Sequence, residues 1–457
     1  MSLWTSDDAA KATGGRVTRA WQAAGISIDS RSIAPGDLFI ALTAARDGHD
    51  FVAQALAAGA AAAMVSRIPD GVAADAPLLI VEDVFTALQD LGRAGRARTG
   101  ARVLAITGSV GKTSTKDMAV AALQAQGRVH AAEASLNNHW GVPLTLARMP
   151  EDTDFAVLEL GMNHPGEIEP LARMARPHVA MITTVAAVHL EAFENVEGIA
   201  REKAAIFAGL EPAGVAIIPE DLEVTQILRD GADEAGAIVA GFGAQGMARV
   251  LTSSTSATGS ETTARIFSDT VRFTLASPGA HFVMNAVGVL AAVARLGADV
   301  NKAAQGLSSW HPYRGRGGVE QIGALTVLDD SYNANPTSLR AGLQSLARLP
   351  EGRRIAILGD MGELGAGSPA IHRDIATWPE IAPIARIHTA GPLMRNLHDA
   401  LPEAQRGLWA ESADGLIARI SELAQPGDIV FFKGSKSSRV ASIVQALREI
   451  DAQEQGS

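Results

Sequence analysis

Short apolar runs alternate along the middle of the chain with polar-faced segments that are long enough to form helices. The runs cover residues 103–107, 155–160, 179–185 and 215–219, and a helical segment follows the first of them at 112–126. Strands that alternate with helices are joined by crossover connections, which place them side by side in parallel. The pattern therefore predicts a mostly parallel sheet that is buried on both faces.

A second series of apolar runs begins near residue 326 and again alternates with predicted helices. Its runs cover residues 326–329, 354–358, 386–389 and 428–433. This series predicts a doubly wound, Rossmann-like domain at the carboxy terminus. Between the two series, alternating residues in 249–275 surround a polar turn at 253–260, which predicts an antiparallel hairpin.

The first hundred residues combine Ala-rich helical stretches with short strands, one of them predicted at 38–42 after a Pro-Gly-Asp turn. A Gly- and Arg-rich stretch at 92–102 is interpreted as a linker. The fold class predicted is α/β with three domains. They are a small amino-terminal α/β domain at residues 1–98, a central phosphate-loop domain with a mostly parallel sheet at 99–310, and the Rossmann-like domain at 311–457.

Composition supports a folded chain of this organisation and excludes several classes of function. A length of 457 residues corresponds to roughly three domains of about 150 residues each. With 47% hydrophobic and 19% charged residues, wholesale disorder is excluded. Basic residues number 39 against 50 acidic ones, which argues against nucleic acid as a partner. The absence of cysteine excludes disulfides, thiolate zinc sites and a cysteine nucleophile.

The amino terminus lacks the basic-then-apolar order of a signal peptide, and the apolar runs are shorter than the roughly 20 residues of a membrane span. We therefore expect a cytoplasmic protein without membrane insertion.

The most informative stretch is RVLAITGSVGKTS at residues 102–114. It runs from a predicted strand through a glycine-rich turn into a helix that opens at Lys112, and backbone N–H groups in such a turn bind phosphate oxygens. Ile106 replaces the first glycine of the usual motif and Gly108 supplies the extra one. A chance glycine turn is the alternative, but the order of elements favours ATP or GTP binding. The predicted phosphate-binding residues are Gly108, Ser109, Val110, Gly111, Lys112, Thr113 and Ser114.

Three further residues lie where a nucleotide and its metal would need them. Glu159 ends an apolar strand, His189 follows the next strand, and Lys203 lies in a helical segment among apolar residues. The Thr113 hydroxyl and the Glu159 carboxylate are oxygen ligands suited to Mg²⁺. Each residue also has an ordinary structural interpretation, and for Lys203 the pattern alone favours a surface lysine whose stem covers apolar surface.

Longer motifs identify a family. The runs TGSVGKTS (107–114), ELGMNHPGEI (159–168) and HLEAF (189–193) resemble the Mur ligases, the ATP-dependent amide-bond-forming enzymes of peptidoglycan precursor synthesis. The runs DDSYNANPTS (329–338) and LGDMGELG (358–365) resemble the family member that joins D-alanyl-D-alanine to UDP-N-acetylmuramoyl-tripeptide. The resemblance covers essentially the whole chain. It implies transfer of the γ-phosphate to a substrate carboxylate, followed by attack of an amine on the acyl phosphate.

The resemblance also implies roles for the residues around the phosphates. Lys112, His189 and Lys203 would be catalytic, and two Mg²⁺ ions are expected. Thr113 and Glu159 would bind one ion and His189 would help to bind the second. Lys203 would react with CO₂ to form a carbamate, whose negative charge the metal would stabilise.

On the nucleotide, the resemblance places His281 and Asn285 near the adenine, although a polar helix start would explain both equally well. Arg316 would approach ATP from the carboxy-terminal domain. Three more residues would lie where this domain closes on the nucleotide, namely Asp330, Asn333 and Asn335.

For the UDP-linked substrate, Ser30 and Arg31 lie in an Asp-Ser-Arg triplet that resembles the family's uridine-nucleotide site; a charged turn is the alternative. Asn137 and Asn138 resemble the segment that meets the UDP-sugar, but His139 and Trp140 replace the acidic and aliphatic residues expected next. The segment 433–437 resembles one near the substrates. A monomer and ordered binding, with D-alanyl-D-alanine last, are expected.

Several alternatives differ from this hypothesis at identifiable features. The Mur ligase that adds the third amino acid usually carries an Asp-Asn-Pro-Arg motif, which is missing from the sequence, and a folylpolyglutamate-type ligase would lack DDSYNANP. A phosphate-loop kinase would release a phosphorylated product. A nucleotide-binding scaffold would not need the combination of Glu159, His189 and Lys203.

Overall fold

The computed structural model describes residues 2–133, 135–188, 190–256, 259–349 and 352–455, which form four β-sheets covered by helices. The α/β fold class predicted from the apolar runs is confirmed. No helix within these ranges is long and apolar enough to cross a membrane.

The amino-terminal region contains a five-stranded sheet with the order β2-β7-β6-β5-β4 and a separate antiparallel pair, β1 and β3. The strands of the larger sheet are parallel except at β2. The strand predicted at 38–42 is β5. In chain order the elements are β1 (Trp4–Thr5), α1 (Ser6–Thr13), β2 (Arg16–Val17), β3 (Gln22–Ala23), β4 (Gly25–Ser27), β5 (Asp37–Ile40), α2 (Val52–Ala57), β6 (Ala62–Val65), β7 (Leu78–Ile80) and α3 (Val84–Ala97).

The central region is built on a nine-stranded sheet with the order β16-β15-β14-β13-β12-β11-β8-β10-β9. Helices α4, α9 and α10 cover one face and α5 to α8 cover the other, so the parallel strands are buried on both sides as predicted. Its elements are β8 (Arg102–Thr107), α4 (Lys112–Leu123), β9 (Val129–Ala131), α5 (Gly141–Ala147), β10 (Phe155–Glu159), α6 (Ile168–Ala175), β11 (Val179–Ile182), α7 (Val196–Ala204), β12 (Val215–Pro219), α8 (Thr225–Glu234), β13 (Ile238–Phe242), β14 (Ala248–Thr255), β15 (Ser260–Ile266), β16 (Asp269–Leu275), α9 (Ala280–Arg295) and α10 (Val300–Gly306).

The predicted antiparallel hairpin is present and has a third strand. β14, β15 and β16 pair in antiparallel register at the edge of the parallel sheet. Much of the polar stretch predicted to turn is extended, because β14 continues to Thr255 and β15 starts at Ser260. Residues 257 and 258, inside the predicted turn, lie outside the described residues.

The carboxy-terminal region has a six-stranded sheet with the order β17-β18-β22-β19-β20-β21, in which only β17 is antiparallel. Helices α11 to α13 cover one face and α14 and α15 the other, which confirms the doubly wound prediction. Its elements are β17 (Gly318–Ile322), β18 (Leu325–Asp329), α11 (Pro336–Arg348), β19 (Arg354–Gly359), α12 (Ser368–Asp374), β20 (Arg386–Ala390), α13 (Met394–Ala400), β21 (Arg406–Ala410), α14 (Ala413–Ile417), β22 (Ile429–Lys433) and α15 (Ala441–Gln455).

The linker interpretation of residues 92–102 is wrong for 92–97, which form the last turns of α3. Gly92 and Gly95 lie against α5, and a Cβ atom on Gly95 would lie 2.2 Å from the carbonyl oxygen of Leu146. The glycines therefore permit close helix packing rather than chain flexibility. The domain limits at 98 and 310 remain predictions.

Further contacts attach the amino-terminal region to the central one. The buried Trp4 indole donates to the Ala147 carbonyl oxygen at 2.8 Å. Arg98 donates to the carbonyl oxygens of Leu3 at 2.6 Å and Met149 at 2.9 Å, and its guanidinium lies 4.1 Å from the centroid of the Trp4 ring. Together with the α3–α5 packing, these contacts join the two regions through an extensive interface.

Replacement of Gly95 by alanine tests the close packing of α3 on α5. The added methyl group should force the helices apart and cost about 1–3 kcal/mol of unfolding free energy, offset by up to about 1 kcal/mol from helix propensity. Gly100→Ala is the control, because a Cβ atom there meets no atom within 4 Å. Urea denaturation should show a net loss for Gly95→Ala alone; equal stability of the two variants would contradict the packing argument.

Candidate active site

The site lies where β8, β10 and β11 end at the same edge of the central sheet, which is where parallel sheets bind ligands. The loop from β8 to α4 has positive φ angles at Gly108 (151°) and Gly111 (86°). A Cβ atom on Gly108 would lie 1.9 Å from Thr183 Oγ1, and one on Gly111 would lie 2.7 Å from Asn285 Nδ2. Both positions thus require glycine, and the loop amides are held at the amino end of α4.

Hydrogen bonds with the segment after β11, and one within the loop itself, fix the shape of this loop. The Thr183 hydroxyl donates to the Val110 carbonyl oxygen at 2.6 Å. Ser109 Oγ donates to the Ala186 carbonyl oxygen at 3.2 Å and accepts from the Ala186 N–H at 3.0 Å. Lys112 Nζ folds back and donates to the Gly108 carbonyl oxygen at 2.8 Å. Burial lowers the pKa of Lys112, an effect that the Glu159 carboxylate opposes.

Glu159 is almost completely buried, with 1% of its surface exposed, and both of its carboxylate oxygens accept hydrogen bonds. Thr113 Oγ1 donates to Oε2 at 2.9 Å and Asn137 Nδ2 donates to Oε1 at 2.6 Å. The expected strand-end glutamate is therefore paired, as a buried carboxylate must be. Within the described ranges no three or more His, Asp or Glu side chains form a metal-binding group. The Thr113 hydroxyl and the Glu159 carboxylate, joined by the 2.9 Å hydrogen bond, are oxygen groups of the kind that bind Mg²⁺.

Lys203 is buried, with 2% of its surface exposed, so the pattern-based preference for a surface lysine is wrong. It lies near the end of α7, on the face that carries the buried residues Ile199 and Ala200. Among the described residues its amine has one hydrogen-bond partner, the sulfur atom of Met162 at 3.9 Å. Burial, together with the charge of Lys112, lowers the pKa of Lys203 far below its ordinary value. The amine is thus held in a site that favours its neutral form.

The carboxy-terminal region supplies the opposite wall. Lys433, at the end of β22, is buried and donates to Asp330 Oδ2 at 2.5 Å and to the Asn333 carbonyl oxygen at 3.0 Å. Burial raises the pKa of Asp330, and the Lys433 ammonium opposes this shift. The Asn335 side chain caps α11 by accepting from the Ser338 N–H at 2.9 Å. Lys433 thereby fixes the loop that carries three predicted site residues.

Two cavities of about 590 Å³ each adjoin at this interface. The first brings together most of the predicted nucleotide and metal residues. They are Ser109, Val110, Gly111, Lys112, Thr113, Ser114, Glu159, His281, Asn285, Arg316, Asp330, Asn333 and Asn335. The second is lined by polar side chains that include Asn137, Asn138, Glu167 and Lys436. Six residues line both cavities, namely Ser109, Lys112, Asn137, Tyr332, Asn333 and Asn335.

His281 and Asn285 lie in the first turns of α9 and line the first cavity, while their predicted place near the adenine stays a prediction. Burial lowers the pKa of His281 to about 4, and the charge of Lys433 adds to the shift. The imidazole is therefore neutral at pH 7.

Four predicted residues are not among those that line these cavities, namely Gly108, Ser30, Arg31 and Lys203. Ser30 and Arg31 belong to a short turn in the amino-terminal region, where Arg31 donates to Asp29 at 2.6–3.2 Å and leaves 85% of its side chain exposed. Lys203 lies behind Met162, which lines the second cavity. His189 lies outside the described residues, so its predicted roles stay predictions.

The prediction missed Ser135 and Tyr332, both of which line the first cavity. Tyr332 stands inside the DDSYNANPTS run, so the motif contained a signal for it, whereas nothing in the local pattern distinguishes Ser135.

Comparison with known families identifies three successive matches along the chain. The catalytic domain of the Mur ligase family matches residues 22–96, the Mur ligase middle domain matches 106–293, and the Mur ligase glutamate ligase domain matches 316–436.

Individual relatives are similar over nearly their whole length. The UDP-N-acetylmuramoyl-tripeptide–D-alanyl-D-alanine ligase of Escherichia coli (strain K12) is 36% identical over 444 residues, covering 93% of each chain. The protein of the same name from Bacillus subtilis (strain 168) is 36% identical over 434 residues, also covering 93% of each. A crystal structure of MurF from Acinetobacter baumannii has a TM-score of 0.87 at 30% identity, covering 98% of this chain and 99% of that one.

The stability of a Lys203→Met variant tests whether the buried amine is uncompensated. Because the folded-state pKa of Lys203 lies below its unfolded value, the unfolded chain binds the extra proton. Wild-type stability in CO₂-free buffer should therefore rise with pH up to the unfolded pKa near 10.5, by at most about 1.4 kcal/mol per pH unit. Urea denaturation at pH 7 should find Lys203→Met more stable than the wild type. The stability of the variant should lack the rise with pH that the Lys203 amine causes.

The matched control is Lys116→Met. Lys116 is also buried, but its amine donates to the Ala132 carbonyl oxygen at 2.7 Å and pairs with Asp117 at 3.2 Å. Its loss should destabilise the protein by about 1–3 kcal/mol, because it leaves buried partners unsatisfied. Identical pH dependence in the wild type and Lys203→Met would show that the Lys203 amine is not desolvated.

Proposed function

Because the chain belongs to the Mur ligase family, we propose that it joins D-alanyl-D-alanine to UDP-N-acetylmuramoyl-tripeptide. The reaction converts ATP to ADP and phosphate and yields the UDP-muramoyl-pentapeptide precursor of peptidoglycan. The observation that carries this proposal is the meeting of two cavities at Lys112, one behind the phosphate loop and one lined by amide and charged side chains. A phosphoryl group and a peptide carboxylate can therefore meet at the Lys112 ammonium.

In the first cavity, called the nucleotide cavity from here on, the amides of residues 108–114 and the Lys112 side chain bind the phosphates. Helix α4 begins at Lys112, so its positive dipole end faces the anion. His281 and Asn285 border the base, and the neutral imidazole suits contact with an uncharged ring. From the opposite wall, Arg316, Asp330 and Asn333 enclose the nucleotide, while Asn335 fixes the start of α11.

The oxygen atoms of Thr113 and Glu159 fit Mg²⁺, which is typically bound by one or two carboxylates together with phosphates and water. Such an ion neutralises phosphate charge during transfer. Glu159 orients the Thr113 hydroxyl, and Asn137 holds the other carboxylate oxygen. A second Mg²⁺ would be held by His189 and by Lys203 once the lysine is carbamylated.

Carbamylation of Lys203 converts a neutral amine and CO₂ into a carbamate and a proton. The depressed pKa supports this step, because only the neutral amine attacks CO₂. The product is an anion whose charge the Lys112 ammonium attracts, so the modification replaces a neutral group by one that favours the neighbouring cation. A carbamate on Lys203 would also explain why a buried amine stands there with only the Met162 sulfur as its hydrogen-bond partner among the described residues.

The peptide substrate occupies the second cavity, with Asn137 and Asn138 at the UDP-sugar segment and Ser30 and Arg31 at the uridine end. Its terminal carboxylate takes the γ-phosphoryl group beside Lys112. The amine of D-alanyl-D-alanine then attacks the carbonyl carbon and phosphate leaves. Enclosure between two domains keeps water from the acyl phosphate. The enzyme acts as a cytoplasmic monomer.

Product formation tests the proposal directly. Purified protein should release ADP in the presence of Mg²⁺ only when UDP-N-acetylmuramoyl-tripeptide and D-alanyl-D-alanine are both present. With ¹⁸O in the tripeptide carboxylate, mass spectrometry should find one labelled oxygen in inorganic phosphate. ADP release with the tripeptide alone and a stable phosphorylated product would indicate a kinase. Unlabelled phosphate would exclude the acyl phosphate.

Chemical rescue tests the carbamate. Lys203→Ala should lose at least about 100-fold in kcat, because the anion for the second ion is gone, and should recover part of it with added short carboxylic acids. Lys302→Ala, at an exposed position on α10, is the control and should neither lose activity nor respond to the acids. Full activity of Lys203→Ala, or a loss that no carboxylic acid relieves, would count against carbamylation.

A further inference from the structure

Arg316 lies on a turn whose backbone is fixed from both sides. The flanking residues Gly315 and Gly317 have φ angles of 77° and 85°, which favour glycine. The Gly315 carbonyl oxygen accepts from the Tyr332 N–H at 2.9 Å, and the Gly317 N–H donates to the Asp329 carbonyl oxygen at 2.8 Å. The backbone of Arg316 is therefore held at a set distance from Tyr332.

The side chain of Arg316 is held from two directions. Its guanidinium lies over the Tyr332 ring, 4.0 Å from the centroid, within the range of a cation–π contact. Its Nη2 atom donates to Ser135 Oγ at 3.1 Å, and Ser135 belongs to the central region. One contact thus comes from the carboxy-terminal region and the other crosses the interface to the central region. Together they order the Arg316 side chain, whose rotamer entropy when free amounts to about 2 kcal/mol.

The surroundings of Arg316 contain a second cation. Its charge contributes to the lowered pKa of Lys112, and both residues line the nucleotide cavity. Two cations beside one cavity repel each other when no anion is bound, and the attraction of Arg316 to the Asp117 and Asp330 carboxylates offsets part of this repulsion. Contacts that hold the guanidinium in place keep it ready for the phosphates.

We propose that Tyr332 and Ser135 are positioning residues that hold Arg316 against the phosphates of ATP. The Tyr332 ring is the platform for the guanidinium, and the Ser135 hydroxyl anchors it to the domain that carries the phosphate loop. This inference rests on the proposed function. This role needs the aromatic face of Tyr332 and not its phenol hydroxyl. Replacement by phenylalanine should therefore preserve it, whereas replacement by leucine should abolish it.

A double-mutant cycle tests the inference. Tyr332→Leu should lower kcat by about 3- to 30-fold, because it removes the cation–π contact and leaves the Arg316 side chain less ordered. Tyr332→Phe keeps the aromatic ring and should stay within about 2-fold of the wild type. In an Arg316→Ala background, Tyr332→Leu should have no further effect beyond about 2-fold. Ser135→Ala should behave in the same way, and KM for the dipeptide should not change.

The control is Tyr313→Leu, at the chain's other tyrosine, which is 59% exposed. It should retain wild-type kcat. A full effect of Tyr332→Leu in the Arg316→Ala background would show that Tyr332 acts on the substrates directly and would overturn the inference. Equal damage from Tyr332→Phe and Tyr332→Leu would overturn the platform role.

A binding measurement separates this inference from the proposed function. Calorimetric titration with a non-hydrolysable ATP analogue and Mg²⁺ requires no turnover, so the same cycle can be measured even if D-alanyl-D-alanine is not the acceptor. Tyr332→Leu and Arg316→Ala should weaken binding non-additively. Absence of ligation in the wild type would contradict the proposed function alone, whereas strictly additive losses of affinity would contradict the positioning role alone.

Discussion

The carboxylate of Glu159 is the group on which the arrangement of the site depends. A buried carboxylate is costly unless its oxygens accept hydrogen bonds, and here each oxygen accepts one from a different segment. Thr113 belongs to the helix behind the phosphate loop, and Asn137 to the segment before α5. Glu159 thereby joins the end of β10 to the phosphate loop and to the segment around Asn137, which fixes the relative positions of all three. Because Asn137 lines both cavities, its hydrogen bond to Glu159 also fixes the boundary between them.

Much of this arrangement could be predicted from local pattern. The apolar runs located the strands of both parallel sheets because a strand buried on two faces is apolar without interruption. The glycine turn before Lys112 located the phosphate loop because only glycine tolerates both the backbone angles and the close neighbours at 108 and 111.

Other features depend on tertiary contacts that leave no local signal. Lys203 has the same sequence surroundings as a surface lysine, and only the packing of α7 buries it. Gly92 and Gly95 looked like a flexible linker because the partner helix begins some fifty residues later. Arg316 and Tyr332 meet because the β17–β18 hairpin returns the chain, pairing Gly318 with Asp329. Such contacts require the topology as well as the residues.

The interface between the amino-terminal and central regions bears on how the protein can be divided. Glycines of α3 lie against α5, and Trp4 and Arg98 donate hydrogen bonds across the same interface, so the two surfaces are closely packed. A cut after residue 98 would expose a surface shaped for one particular neighbour. An amino-terminal domain borrowed from a relative could replace this one only if the matching surface of α5 came with it. The smallest segment that recombination can exchange between members of the family therefore extends from the amino-terminal region through α5.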